Sequence, residues 1–439
     1  MRRAVRRAWL ALRARRVLDA LRDLEVSQWL STGDVEALQL RKLRPLLAHA
    51  GATVPYYRDL FARIGFDPAG MTSIRDLNAI PILERDTLIE RFDELRSERA
   101  PARAVVRVTG GSTGRPVRFL VDEHEAATRS AHIDRNLRWL GWDLGDRLAF
   151  VWGSDFDSRE HRGGLARLRD AVSGVLWIDA FTLGRGELDD VLQRLQDHHP
   201  AVLIGYPSSL HLLAERALAT GRTLSLRGVQ TSAEMLAPRV RDDLQMAFGC
   251  RVMDRYGCRE AGIIAHECPE GRLHVNAEAV VMECPQGDVV VTTLNNYAMP
   301  LIRYRNEDSG EMSGDACACG RGLPLAGSIR GRLSDVIRAP GGRLIHGEFF
   351  THLFYDAPGV RRFQVRQTRR DELQIACVAD EAFTPEVMAR LESLIHAHGD
   401  PAFRIRWMRV AEITAGPSGK FRFTISEVTE EDEPLPGVS

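Results

Sequence analysis

A glycine-rich segment between two short apolar runs is the first stretch of this chain whose composition suggests chemistry. It reads VTGGSTGRPVRF and spans residues 108–119. Glycine lets consecutive backbone N–H groups turn toward one point, and such a nest binds anions. Ser112 and Thr113 add hydroxyl donors, and Arg115 adds a permanent positive charge that suits phosphate oxygens. The segment predicts a phosphate-holding loop, with an ordinary hairpin turn as the alternative, and it lacks the GxxxxGK[ST] pattern of the P-loop.

Four soft donors in the second half of the chain form another group that could do chemistry. Cys268 and His274 are separated by five residues, and Cys317 and Cys319 lie in the stretch CACG. Three thiolates and one imidazole suit tetrahedral zinc. The sequence predicts a closed structural zinc site, with His266 as a competing ligand. The alternative is a set of buried free thiols.

Composition limits the class of protein. The chain has 439 residues, of which 44% are hydrophobic and 27% charged, so we expect a globular protein of two or three domains. The formal net charge of -1 gives no reason to expect a nucleic-acid partner. Uninterrupted apolar stretches fall short of a membrane span. The unevenly clustered cysteines fit a reducing compartment, and we expect a cytoplasmic location.

The first twenty residues carry the one charge anomaly. Seven arginines precede the first acidic residue, Asp19, while Val5, Trp9 and Leu12 recur at helical spacing. Two interpretations stay open: a helix resting on an anionic membrane surface, or a first helix that packs its apolar face on the body while its arginines stay in water.

Alternating strand and helix patterns must position these residues. The chain up to about residue 100 is mostly helical, with a break at Pro55. RLAFVWGS and PAVLIGYP resemble short buried strands, and the helical stretch LDDVLQRLQDHH precedes the second. This alternation predicts an α/β architecture with a partly parallel sheet. Short β runs follow from GDVVVTTL onward, RAPGGRLI predicts a hairpin, and the last hundred residues predict a small α+β unit.

Four further segments, read in order with the glycine loop, carry a resemblance to a known superfamily. They are SAEML at 232–236, DRYGCREAG at 254–262, IRYRNEDSG at 302–310 with GRLSDVI at 331–337, and GPSGKFRF at 416–423. The set resembles the adenylate-forming enzymes, most closely the phenylacetate–CoA ligase family and its CapK-type branch. The resemblance implies a large multi-subdomain N-terminal domain of mixed sheets and helices at 1–332. A small mobile C-terminal lid domain would follow at 333–425, and an acidic disordered tail at 426–439.

The resemblance also implies a nucleotide site. The residues it assigns to nucleotide binding are Thr109, Gly110, Gly111, Ser112, Thr113, Gly114, Ser232, Ala233, Glu234, Tyr256, Gly257, Asp308 and Arg332. The glycine loop through Pro116 would grip the β- and γ-phosphates of ATP. The stretch 232–234 would border the adenine, Asp308 would bind the ribose hydroxyls, and Arg332 the ribose or α-phosphate.

Three residues are assigned to charge neutralisation in the transition state. Lys420 would be the mobile lysine of the first half-reaction, Glu260 would hold Mg²⁺, and Arg115 would contact phosphate oxygens. Family members also carry a structural zinc at the Cys₃His pattern described above. Cys258, inside the YGCRE motif, is better explained by packing than by nucleophilic attack.

Three positions depart from the family pattern. Arg115 stands where lysine is usual, Glu307 where glycine precedes the aspartate, and Ser334 where an acid is usual. Arginine retains the charge but has a different geometry. Glu307 leaves the local backbone in doubt.

The resemblance implies ATP-dependent activation of a small carboxylic acid through an acyl-adenylate, with release of pyrophosphate. The acyl group would pass to CoA or a carrier-protein thiol. One alternative is transfer to an amine or hydroxyl in polysaccharide or natural-product biosynthesis. Another is a degenerate, non-catalytic scaffold. The segments VWGSDFDS and GYPSS, with Tyr256, are expected to line the acid pocket, and family likeness suggests a homodimer.

Overall fold

The computed structural model describes most of the chain. The described residues are 3–108, 117–153, 170, 172–180, 183, 187–330, 336–345, 347–355, 357–413 and 423–428. Within them, one large mixed sheet and one small sheet organise the α/β fold.

The N-terminal region is helical, as its sequence pattern predicts. Its helices are α1 (Arg3–Arg13), α2 (Arg15–Ser27), α3 (Thr32–Thr53), α4 (Pro55–Ile64) and α5 (Arg85–Glu90). The predicted break at Pro55 is confirmed: Val54 ends α3, and the proline begins α4, where its missing N–H costs nothing. The apolar faces of α3 and α4 pack with the antiparallel half of the large sheet.

Helix α1 docks on the body of the protein through its arginines. Arg6 is buried, and its Nε donates to the carbonyl of Gly145 at 2.8 Å. Arg3 pairs with Asp146 at 2.6 Å, and Arg7 with Asp143 at 3.5 Å. Helix α1 thus packs on the body, as one of the two interpretations predicted, but Arg6 is buried rather than in water, and Val5, on the expected apolar face, is 53% exposed. None of the helices in the described ranges combines the length and apolarity of a membrane span.

Five strands form the parallel half of the large sheet. They are β3 (Leu148–Val151), β4 (Val175–Ile178), β5 (Val202–Gly205), β6 (Gly228–Ser232) and β7 (Arg251–Cys258), in the order β4-β3-β5-β6-β7. Three helices bury their apolar faces against these strands: α7 (Leu188–His198), α8 (Pro207–Thr220) and α9 (Pro238–Phe248). The predicted partly parallel sheet is thus confirmed.

The sheet becomes antiparallel beyond β7 and continues in the order β7-β8-β9-β13-β12-β11-β10. The additional strands are β8 (Gly262–Glu267), β9 (Leu273–Val275), β10 (Val280–Glu283), β11 (Asp288–Thr293), β12 (Tyr304–Ser313) and β13 (Leu325–Arg330). Strand β7 therefore has a parallel neighbour, β6, on one side and an antiparallel neighbour, β8, on the other.

A separate hairpin flanks the glycine-rich segment. Strand β1 (Val105–Val108) pairs with β2 (Arg118–Val121), and Val108 lies opposite Arg118, as the strand–loop–strand pattern predicts. Helix α6 (Glu123–Trp139) follows β2 directly, and the Asp122 carboxylate caps it by accepting from the Glu125 N–H at 2.8 Å.

The C-terminal region has its own sheet and core. The elements are β14 (Ile337–Arg338), β15 (Leu344–Ile345), α10 (Gly347–Tyr355), β16 (Val360–Arg369), β17 (Glu372–Ala379), α11 (Pro385–His398), β18 (Arg404–Arg409) and β19 (Thr424–Ser426). The predicted RAPGGRLI hairpin is the β14–β15 pair. A four-stranded sheet, β18-β17-β16-β19, buries Phe354 against Phe363 at 4.4 Å between ring centroids. The predicted α+β unit is confirmed, whereas the boundary predicted at 331–334 lies outside the described residues.

Candidate functional site

The described site residues collect where parallel strands end. Ser232 is the last residue of β6 and pairs in register with Arg255 on β7. Tyr256 follows on β7 and lies opposite Ala265 of the antiparallel strand β8, immediately before a register shift at Gly257. The carboxyl ends of parallel strands are where α/β sheets bind ligands, because backbone and side chains there face an open crevice.

Tyr256 and Asp308 meet across this crevice. The phenol of Tyr256 donates to Asp308 Oδ2 at 2.7 Å, and the amide of Asn306 donates to the same oxygen at 3.2 Å. Burial, followed by the charge of Asp308, raises the pKa of Tyr256 well above its usual value. The phenol therefore stays a donor at physiological pH and orients the carboxylate.

The Asp308 carboxylate is presented by a bulge in β12. Opposite β11, Asp288 lies across from Ser309, but Val290 lies across from Arg305, so β12 accommodates extra residues between these pairs. Glu307 sits in this bulge with φ of 67°, in the left-handed region. Such a φ favours glycine, which explains why glycine is usual here in the family. The doubt raised by Glu307 is resolved: the residue adopts the glycine-like conformation.

Glu260 lies in the turn between β7 and β8. Its carboxylate is buried, and Oε1 accepts from the Tyr304 hydroxyl at 3.2 Å and lies 3.5 Å from Arg85 Nη1. The turn must be tight, because a Cβ at Gly257 would lie 2.4 Å from the carbonyl oxygen of Gly262. A buried carboxylate is a donor of the type that Mg²⁺ accepts, so Glu260 could hold the ion.

The segment Ser232–Glu234 turns sharply after β6. Ala233 is exposed and has φ of 71°. Glu234 points back to helix α8, where its carboxylate accepts from the N–H and the hydroxyl of Ser208 at 2.8 and 2.7 Å. A carboxylate at a helix N-terminus is favoured by the unpaired N–H groups there. The Glu234 side chain thus anchors the turn.

The four predicted metal ligands come together. Ligand atoms of Cys268, His274, Cys317 and Cys319 all lie within 4.8 Å of one another. Sγ of Cys268 is 3.6 Å from Sγ of Cys317, and Sγ of Cys319 is 3.3 Å from Nε2 of His274. Tetrahedral zinc with Zn–S bonds of about 2.3 Å sets its ligand atoms roughly 3.8 Å apart. The cluster fits the ion in donor type and in spacing.

The surroundings of the cluster suit a metal site. Burial lowers the pKa of His274 to about 4, so its ring is neutral at neutral pH, and Nδ1 contacts the carbonyl of Leu323 at 3.1 Å. Burial raises the pKa of Cys268 to about 12. Burial also acts to raise the pKa of Cys319, but hydrogen bonds from Arg321, Cys317 and Cys268 together outweigh it and lower that pKa.

His266, the competing ligand, is used elsewhere. Its Nε2 contacts the amide of Gln230, and its Nδ1 contacts the carbonyl of Glu267. Cys258 accepts from the N–H of Ala261 at 3.4 Å and packs against the apolar core, and burial raises its pKa. A thiol of raised pKa is a poor nucleophile, so packing is the better explanation for Cys258.

Several predicted site residues lie outside the described residues. These are Thr109, Gly110, Gly111, Ser112, Thr113, Gly114, Arg115, Pro116, Arg332, Ser334 and Lys420. The structure does bring together Tyr256, Asp308 and Glu260, through the β7–β8 turn and the β12 strand.

Four side chains of the site escaped the sequence analysis: Arg85, Arg129, Tyr304 and Asn306. Asn306 and Tyr304 lie inside the IRYRNEDSG segment, which the analysis recognised without assigning them roles. Arg85 is 5% exposed, and its Nε lies 4.0 Å from Glu307. No spacing rule links residue 85 or 129 to residue 260, because only the tertiary fold brings these chain segments together.

Known proteins resemble this chain in sequence and in fold. The phenylacetate-coenzyme A ligase of Thermus thermophilus is 27% identical over 377 residues, which cover 80% of this chain and 83% of that protein. Protein CapK of Staphylococcus aureus is 21% identical over 421 residues, 92% of each chain. No protein-family model matches the chain. A crystal structure of 2-hydroxyisobutyryl-CoA ligase with 2-HIB-AMP and CoA, in the thioesterification state, aligns with a TM-score of 0.62 at 19% identity. The alignment covers 91% of this chain and 92% of that one, and it establishes a shared fold.

Proposed function

Because the chain belongs to the phenylacetate–CoA ligase family of the adenylate-forming superfamily, we propose that it activates a carboxylic acid with ATP and transfers the acyl group to CoA. The observation that carries the proposal is the Tyr256–Asp308 pair beside Glu260, at the carboxyl ends of parallel strands. In this proposal Asp308 would accept from the ribose hydroxyls, and Glu260 would hold the metal ion.

The first half-reaction joins two anions. A carboxylate oxygen of the acid attacks the α-phosphorus of ATP, the bond from the α-phosphorus to the bridging oxygen breaks, and pyrophosphate leaves. Lys420, Arg115 and Mg²⁺ held by Glu260 would neutralise the charge that builds up. In the second half-reaction the sulfur of CoA attacks the acyl carbon, and AMP leaves.

The acid would lie beside an aromatic wall at the ends of β3 and β5. Trp152 and Tyr206 stack at 4.4 Å between ring centroids, and the Arg255 guanidinium lies 5.6 Å from the Trp152 ring. Both aromatic residues belong to the segments expected to line the acid pocket. A flat aromatic wall favours a flat or apolar acyl group, so aryl acids lead the list of substrates.

The chain would divide at about residue 332 into a large domain and a lid. The four-stranded C-terminal sheet has its own apolar core, which supports a unit able to move as a body. We also propose one zinc ion at the Cys268 cluster. All of its donors are protein side chains, so the ion would be structural, with no open position for chemistry.

The test is acid-dependent exchange of labelled pyrophosphate into ATP, with Mg²⁺, across aryl, short-chain and long-chain acids. We expect exchange with a subset of aryl acids, and formation of the acyl-CoA thioester when CoA is added. If pyrophosphate exchange occurs but no thioester forms, and an added amine or alcohol is acylated instead, the acceptor would be an amine or a hydroxyl rather than CoA. If the protein neither binds ATP nor supports pyrophosphate exchange, the proposed ligase activity would be contradicted, and a non-catalytic scaffold role would be favoured.

A further inference from the structure

The Arg129 side chain of helix α6 reaches the turn that carries Glu260. We propose that Arg129 is the positioning residue for the Glu260 carboxylate, and that it couples this carboxylate to the hairpin around the glycine-rich segment. The inference rests on the proposed function, because it assigns Glu260 to Mg²⁺.

The contact is a fork on two consecutive carbonyl groups. Arg129 Nη1 donates to the carbonyl of Arg259 at 2.7 Å, and Nη2 donates to the carbonyl of Glu260 at 2.5 Å. Two parallel bonds from a rigid planar group fix both the distance and the orientation of the peptide they hold. The Cα of Glu260 lies between these two carbonyl groups, so the fork fixes the backbone from which the Glu260 side chain projects.

The turn is shaped to receive this arginine. Gly262 has φ of 77°, and a Cβ there would lie 3.2 to 3.3 Å from the Arg129 side chain. A larger residue would therefore be strained in its backbone and would also press against Arg129. The glycine leaves the space that the guanidinium and its stem occupy.

The Arg129 side chain is held in place by a second residue of α6, Glu125. Its Nε donates to Glu125 Oε1 at 2.7 Å, and Glu125 is 3% exposed. Asp122, which caps the same helix, also accepts from the backbone N–H of Tyr297 and Ala298 at 3.2 and 3.3 Å. The first turns of α6 are thus tied to the large sheet, and Arg129 projects from a fixed support.

Helix α6 connects the support of Arg129 to the β1–β2 hairpin. The helix follows β2 directly, and β2 leads out of the segment 109–116 that would hold the phosphates. Arg129 therefore ties the turn that carries Glu260 to the helix that directly follows the β1–β2 hairpin.

The experiment compares Arg129→Met and Arg129→Lys with the parent chain. Arg138→Met is the matched control, because Arg138 lies on the same helix but pairs with Glu25 and Asp143 at 2.8 and 3.1 Å. Removing an outer-shell partner usually costs about 10-fold to 100-fold in metal affinity. We expect Arg129→Met to raise the Mg²⁺ concentration for half-maximal pyrophosphate exchange by about tenfold. Lysine, which can hold one carbonyl, should give a smaller rise, and the KM for the acid should stay unchanged.

A second readout does not depend on activity. Hydrogen–deuterium exchange at 257–262 should speed up in both Arg129 variants and stay unchanged in Arg138→Met. An unchanged Mg²⁺ dependence in a folded Arg129 variant, or an equal shift in the control, would overturn the proposal. If the parent shows no pyrophosphate exchange, the proposed function fails. Even in that case, unchanged deuterium exchange at 257–262 in the Arg129 variants would show that Arg129 does not hold the turn. If Arg129→Met does not fold, both the Mg²⁺ dependence and the deuterium exchange are measured on Arg129→Lys.

Discussion

The hydroxyl of Tyr256 donates to the carboxylate of Asp308 across 2.7 Å, and so joins the end of a parallel strand to the bulge of an antiparallel one. The two residues are 52 positions apart. The hydrogen bond holds the carboxylate in a single orientation toward the crevice, and this arrangement leads to the first prediction.

Loss of this hydrogen bond should weaken nucleotide binding in a graded way. Tyr256→Phe removes a hydroxyl that donates to Asp308 and accepts from Asn306. Because Asn306 still donates to Asp308 at 3.2 Å, we expect the KM for ATP to rise about tenfold or less. Asp308→Ala removes the proposed ribose acceptor and should raise the KM for ATP at least about 100-fold. Pyrophosphate exchange and direct nucleotide titration measure both. Equal effects of the two variants would argue against an orienting role for Tyr256.

The left-handed backbone at Glu307 should be detectable as strain. Glu307→Gly relieves a Cβ clash that costs roughly 1–2 kcal/mol, partly offset by the greater freedom of glycine in the unfolded chain. Glu307→Ala loses the same side-chain contact with Arg85 but keeps the Cβ. We therefore expect the glycine variant to be more stable than the alanine variant, by about 1 kcal/mol, in denaturant unfolding. A more stable alanine variant would contradict the strained conformation.

Metal analysis should find about one zinc per chain. Chelation, or Cys317→Ser, should lower the unfolding temperature, because the folded state alone presents the four donors together. Cys250→Ser is a suitable control, since Cys250 is not part of the cluster. A metal-free protein of full stability would remove the zinc from the proposal.

Lys420→Ala should slow adenylation by at least about 100-fold and leave folding intact. The expectation rests on the GPSGKFRF motif, which lies mostly outside the described residues. Pyrophosphate exchange should fall, while thioester formation from synthetic acyl-adenylate and CoA should persist. A variant that adenylates like the parent would show that the motif has been misread.

Asp134 should make stability depend on pH in an unusual direction. Burial raises its pKa from 3.8 to about 7, and Arg138, which opposes this, is committed to Glu25 and Asp143. Between these values the folded state keeps a proton that the unfolded state releases, so this group's contribution to stability falls as pH rises. Asp134→Asn stays neutral, and its unfolding temperature relative to the parent should rise from pH 4 to pH 8. Asp93→Asn, at an exposed aspartate, should show no such trend.

The motifs alone predicted the class of the fold and the four side chains that meet in the Cys268 cluster. Strand periodicity, glycine punctuation and the Cys₃His set are local patterns, and they depend on residue type and short spacing. For that reason the β1–β2 hairpin, the helical start, the parallel strands and the ligand set at Cys268 were all accessible from the sequence.

The sequence determined which residue types are available, and the tertiary structure decided which of them meet. The register pairs His266 with His274 directly across β8 and β9, but only His274 faces the thiols, because β9 lies beside β13 and the loop that carries Cys319, whereas His266 contacts Gln230. Glu307 can stand where glycine is usual because a bulge in β12 supplies the room. Arg129 reaches the Glu260 turn across about 130 residues of chain, a contact that only packing of α6 on the sheet creates. Long-range contacts follow from the burial of whole elements, which short sequence patterns do not encode.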